Sequence, residues 1–197
     1  WMASNILVDS TLSVYNMGQN ALPLTQVSTT QIGYFQANDT TFPVQSGIVM
    51  VAAQNASDVI AATNGTGNNT TFTDAELSSV LTQLGSSGYA IKDMVEIEFS
   101  FIAQTDTISF NYCFGSHEYD GYTCSNFNDV FGFFLEGTYI DGVTAATGQT
   151  IVKNIATIPG TTIPIAVNTI NSGSSSSGNT ANCCLLYTSD AADDSDC

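Results

Sequence analysis

VEIEFSFIAQTDTISFNYCF, from Val95 to Phe114, is the stretch whose period decides the class of fold. Val95, Ile97, Phe99 and Phe101 alternate with Glu96, Glu98 and Ser100. Strict alternation places apolar side chains on one face of an extended chain, the pattern of a half-buried strand. Gln104-Thr105-Asp106 interrupts the run as a turn. Ile108, Phe110, Tyr112 and Phe114 then alternate with Ser109, Asn111 and Cys113. The two halves are expected to form an antiparallel hairpin with one apolar face. A slip of one residue would turn every side chain over.

Strand signals continue on both sides. Val130–Leu135 (VFGFFL) is apolar on both faces, as a central strand would be. Further strands are expected at Gln31–Gln36, Gly47–Ala52, Thr150–Thr157 and Thr162–Thr169, with Pro159-Gly160 turning between the last two. One helix is expected. Thr73 followed by Glu76 reads as a capping box, and Leu77, Val80, Leu81 and Leu84 recur at helical spacing before Gly85. Polar stretches at Thr63–Thr73 and Ser172–Asn179 read as loops. The expected fold is all-β, an antiparallel β-sandwich of immunoglobulin-like or jelly-roll-like type with one short helix.

Composition narrows function. A chain of 197 residues with 43% hydrophobic residues can build one sizeable core. Only 10% of residues are charged, and the formal net charge is −16. Lys92 and Lys153 are the two strong cations. Polyanions are repelled, so nucleic acid is excluded as a partner. Phosphate chemistry lacks its Gly-rich Lys loop and its Arg clamp. No segment has the length of a membrane helix, and the chain opens on Trp1 rather than Met, so its natural start is expected to lie upstream. Five Cys without a CxxC spacing do not suggest zinc.

The chemistry-bearing residues crowd into Phe114–Phe134, FGSHEYDGYTCSNFNDVFGFF. His117 is the one His of the chain, between Ser116 and Glu118. Adjacent strand residues point to opposite faces, so Ser116 and His117 do not meet as nucleophile and base without a turn. Glu118, Asp120, Asn128 and Asp129 offer hard oxygens that suit Ca²⁺, although the spacing is no EF-hand. Asn and Asp beside Gly serve equally well as turn formers that bond nearby backbone. On that reading Asn128 and Asp129 bond N–H groups of the loop from Glu118 to Phe127.

His117-Glu118-Tyr119, a short gap, Cys124-Ser125, then Phe127 to Leu135 (FNDVFGFFL) resembles the signature of the choice-of-anchor L domain family. Ser46-Gly47-Ile48-Val49, Asp93–Phe101, Asp106–Phe114 and Asn154–Pro164 (NIATIPGTTIP) resemble other segments of it. The resemblance spans about residues 32–171. His117 stands where the family usually has Glu, which removes one oxygen donor from any carboxylate pair.

The resemblance implies a non-catalytic module of a secreted or cell-surface bacterial protein, largely of Bacteroidota, used in adhesion or surface display. An extracellular glycan or protein would be the partner. A first alternative is a Ca²⁺-assisted carbohydrate-binding module with Tyr119, Tyr122 and Tyr139 as its stacking surface. A second is an extracellular hydrolase centred on His117. The resemblance also implies further strands after the N-I-A segment, so residues 1–182 are expected to be a single incomplete domain. Residues 183–197 contain CLLYTSDAAD, which resembles a translated sequencing adapter, and are set apart as a tail. In an oxidised, secreted domain Cys124 is expected to pair with Cys183, and Cys113 to remain a free, packed thiol.

Overall fold

Strands dominate the structure. A computed structural model describes residues 12–15, 29–38, 40–57, 70–103, 106–108, 110–116, 118–119 and 121–171. Among the described residues its strands pair antiparallel, with one short α-helix (Ala75–Gln83) and a 3-10 turn at Thr29–Gln31, so the fold is all-β. The chain forms two compact units, Trp1–Phe72 with Ile91–Cys113, and Thr73–Ala90 with Phe114–Cys197.

In the first unit β1 (Leu12–Tyr15) lies with β6 (Ser100–Ala103), β2 (Ile32–Gln36) with β3 (Ser46–Met50), and β4 (Thr71–Phe72) with β5 (Ile91–Lys92). Gly33 on β2 allows the close approach of its partner, because a Cβ there would sit 3.2 Å from Val49 on β3. Buried Gln31 closes the base of this ladder, donating from Nε2 to the Val51 carbonyl at 3.2 Å. At its tip the Phe35 and Phe42 rings meet edge to face.

The predicted hairpin is corrected here. β6 takes only the end of its first half and pairs with Leu12–Tyr15, while the described residues between 106 and 114 carry no assigned strand. Alternation is only partly kept. The Phe99 and Phe101 rings lie 5.9 Å apart and Glu98 and Ile102 are exposed, but Ser100 is half-buried like the phenylalanines and Ala103 is exposed. Side-chain period chooses a face, but the hydrogen-bonding edge accepts any extended segment in register. Cys113 is free as expected, yet exposed rather than packed.

In the second unit the helix α1 spans Ala75–Gln83. Its cap is Asp74, one residue beyond the expected Thr73, and the Asp74 carboxylate accepts the Leu77 N–H at 2.6 Å. Gly85, with φ 72°, ends the helix: Gly85 N–H donates to Thr82 and Ser86 N–H to Leu81. Val80 and Leu81 are its buried residues.

Three segments of this unit close on one another. β7 (Phe134–Gly137) pairs with β10 (Ile151–Asn154). Just upstream, Val130 bridges Ala166, with Phe131 N–H donating to Ile165 and Val167 N–H to Asp129. The chain after β10 then pairs with the same 163–165 segment through Ile158 N–H to Ile163 and Ile165 N–H to Ala156. The Pro159-Gly160 turn sits between, as predicted, with Thr161 N–H closing on the Ile158 carbonyl. Ala156, Ile158 and Ile165 fill the enclosed core, with Phe114, Phe131 and Phe133 against them. The remaining ladder is a short hairpin of β8 (Tyr139–Ile140) and β9 (Val143–Thr144).

Candidate functional site

The motif stretch becomes a loop pinned at its ends and centre. Tyr122 N–H returns to the Glu118 carbonyl at 2.9 Å, and Ser125 N–H to the Tyr122 carbonyl at 3.0 Å, so 118–125 coils as successive turns. Cys124 lies inside with 0% exposure and φ 62°, a left-handed backbone that costs a non-Gly residue energy. Two constraints hold it there. Its sulfur is disulfide-bonded, and its N–H donates to Asn168 Oδ1 at 2.6 Å.

Asn168 clamps this turn. Its Nδ2 donates to the Ser125 carbonyl at 2.9 Å, and its backbone N–H to Asn128 Oδ1 at 3.0 Å. The residue is 5% exposed, so these bonds form away from water. Asn128 therefore does bond backbone, but that of residue 168 rather than that of its own loop.

The acidic end of the site is built on Ser116, Glu118 and Asp129. Ser116 Oγ donates to Asp129 Oδ2 at 2.7 Å and accepts the Glu118 N–H at 3.0 Å. The Glu118 carboxyl is pushed up from 4.5 to about 7, first by burial and then by the neighbouring Asp129 charge. A hydrogen bond from the Asp129 backbone N–H opposes this rise without cancelling it. Tyr119 is raised by the same two causes, burial and then Asp129. Glu118 Oε2 and Asn128 Nδ2 are buried without a hydrogen-bond partner. Two like charges this close do not both ionise cheaply, so Glu118 holds its proton further towards neutrality than a free carboxyl does.

The structure thus brings Glu118, Asp129 and Tyr119 together and turns Asn128 towards Asn168. His117, Asp120 and Cys183 lie outside the described residues. Among the described residues no group of three or more His, Cys, Asp or Glu gathers as a metal site would require. Of the tyrosines, Tyr122 stands 54% exposed on the loop, while Tyr139 stands 66% exposed on the separate β8–β9 hairpin. Three contributors escaped sequence reasoning. The sequence pattern points to Ser116 only as a candidate nucleophile and to Phe127 only as a motif letter, and nothing local links Asn168 to a loop 40 residues earlier.

Phe127 is 65% exposed and meets Tyr122 edge to face, with ring centroids 5.9 Å apart and planes at 90°. The second motif segment also finds its place. Asn154 Oδ1 accepts the N–H groups of Phe133 and Ala156, stitching N-I-A to F-G-F-F.

The choice-of-anchor L domain matches residues 1–193, and no curated protein or solved structure matches the chain. The chain belongs to the choice-of-anchor L domain family, whose members are secreted or cell-surface proteins.

Proposed function

We propose that this choice-of-anchor L domain is a non-catalytic module of a secreted or cell-surface protein, serving adhesion or surface display through the loop between Glu118 and Asp129. One observation carries the reading. The loop uses its polar groups internally and directs aromatic faces outward. Ser116 Oγ is engaged on both sides, by Asp129 and by the Glu118 N–H, so it is a structural hydroxyl rather than a poised nucleophile. An acid with a pKa near neutrality would suit proton transfer, yet the free Glu118 oxygen is buried instead of facing a substrate.

Beads coated with the chain should attach to surfaces bearing extracellular glycans or proteins more than albumin-coated beads do. Attachment no better than albumin, or turnover of ester, glycoside or peptide substrates by the purified chain, would refute the proposal.

A calcium-assisted form of the same reading is favoured by the unpartnered Glu118 Oε2 beside Asp129. Asp120 would complete the acidic set with Asn128, as the sequence suggests. Millimolar calcium should then raise the melting temperature, and Asp129→Asn should reduce the shift. An unchanged melting temperature would leave the cluster as turn chemistry.

A further inference from the structure

Tyr122 and Phe127 are costly to leave in water, and the backbone that carries them is held in place. Ser125 Oγ accepts the Phe127 N–H and donates to the Phe127 carbonyl, both at 3.0 Å. The Tyr122 backbone is bonded on both sides, by its own N–H to Glu118 and by its carbonyl from Ser125. Between them Cys124 is buried, disulfide-bonded and held by Asn168. Two large aromatic side chains are therefore preorganised in an exposed position, which lowers the entropy lost when a partner binds.

Their geometry selects among partners. A sugar ring stacks on a flat face, and an extended glycan is best served by roughly coplanar rings. These planes stand at 90°, so they form a corner rather than a platform. Both rings are more than half exposed despite that edge contact, and an open π face attracts a cation. The surrounding charge has the same preference. Asp129, exposed at the end of the loop, carries negative charge, the stretch from Phe114 to Phe134 has neither Lys nor Arg, and the chain's net charge is −16. The two lysines are elsewhere, Lys92 donating to Thr71 and Lys153 paired with Asp141.

We infer that the Tyr122–Phe127 corner receives a lysine or arginine side chain from a basic protein partner. This rests on the adhesion reading and names the chemistry of its ligand.

The test uses the whole chain with deca-lysine and deca-arginine peptides, titrated calorimetrically at physiological salt, where long-range attraction is largely screened. Tyr122→Ala/Phe127→Ala keeps the net charge and should weaken binding about tenfold or more. Tyr122→Leu/Phe127→Leu keeps apolar area but removes the π faces, and should weaken it comparably. On the unaltered protein, the peptides should shift the NMR signals of both rings, a readout that does not depend on any variant folding.

Equal peptide affinity in all three proteins, or ring signals that do not move, would overturn the inference. So would ring-dependent binding of neutral cello-, chito- or laminari-oligosaccharides with no ring dependence for the peptides. Those results with bead attachment intact remove this inference alone, whereas loss of all attachment removes the adhesion reading as well.

Discussion

Replacing Asn168 with Ala should be among the more damaging single changes near the loop. The side chain satisfies two backbone groups, the Cys124 N–H and the Ser125 carbonyl. Cys124 is 0% exposed, so its N–H has no access to replacement water, at a cost of about 1–3 kcal/mol. Ser125 is half-buried and its carbonyl recovers some hydration, so its loss is nearer ~1 kcal/mol. The sum is about 2–4 kcal/mol, or roughly 4–16 °C in melting temperature for a chain of this size. Asn168→Asp is the informative companion. It keeps the acceptor for Cys124 but sets an anion against the Ser125 carbonyl, so it should match the Ala variant at pH 8. At pH 4 its protonated carboxyl can donate again, and stability should approach that of the parent. Thermal melts followed by circular dichroism decide the matter. An Ala variant melting within about 2 °C of the parent would show that the disulfide alone holds the turn.

The Glu118 carboxyl should make stability depend on pH. Its folded pKa is raised from 4.5 to about 7, so the folded state keeps a proton the unfolded chain has released, and stability should fall as pH rises through that window and level off above it. Glu118→Gln should flatten this slope, gaining about 1–2 kcal/mol at pH 8 after discounting for partial exposure, measured by urea unfolding at pH 5 and pH 8. Gly132→Ala should cost about 1–3 kcal/mol, because a Cβ there would fall far inside van der Waals contact with the Phe134 ring. Asp74→Ala should cost about 0.5–2 kcal/mol through loss of the Leu77 N–H acceptor, measured in the same urea series.

The parts of this fold that sequence disclosed are those governed by local rules. Ile32–Gln36, Ser46–Met50 and Ile151–Asn154 are strands within a residue or a few of their expected positions, and Pro159-Gly160 turns as its dihedral preferences require. The helix was found from spacing, with its cap misplaced by one because Thr73 and Asp74 are both competent acceptors. Asp141-Gly142 carries a local turn signal of the same kind. Both have positive φ, 51° and 80°, which builds the two-residue turn of the β8–β9 hairpin. Partners were not legible. Nothing in VEIEFSFI says that its end pairs with Leu12–Tyr15, since ladder bonds are made by backbone that every residue carries. The same limit hid Asn168, whose role exists only once residues 124–128 are folded against it.

The motif itself can now be read letter by letter, and the reading separates scaffold from surface. In F-N-D-V-F-G-F-F, Asn128 accepts the Asn168 N–H, Asp129 accepts Ser116 and confronts Glu118, and Val130 bridges Ala166. Phe131 and Phe133 pack on the core, Gly132 leaves room for the Phe134 ring, and Phe134 opens β7. Each of these side chains is committed to holding the domain together. Phe127 differs, a large aromatic ring turned to solvent at the head of a motif whose other letters, exposed Asp129 apart, are half-buried. Tyr122, its partner, is the exposed member of a turn whose neighbours Thr123 and Cys124 are buried. Structural necessity accounts for the other letters, whereas these two rings contribute only their edge-to-face contact with each other. What the domain recognises is therefore best sought at Tyr122 and Phe127, and the acids and amides beneath them are what keep that pair in place.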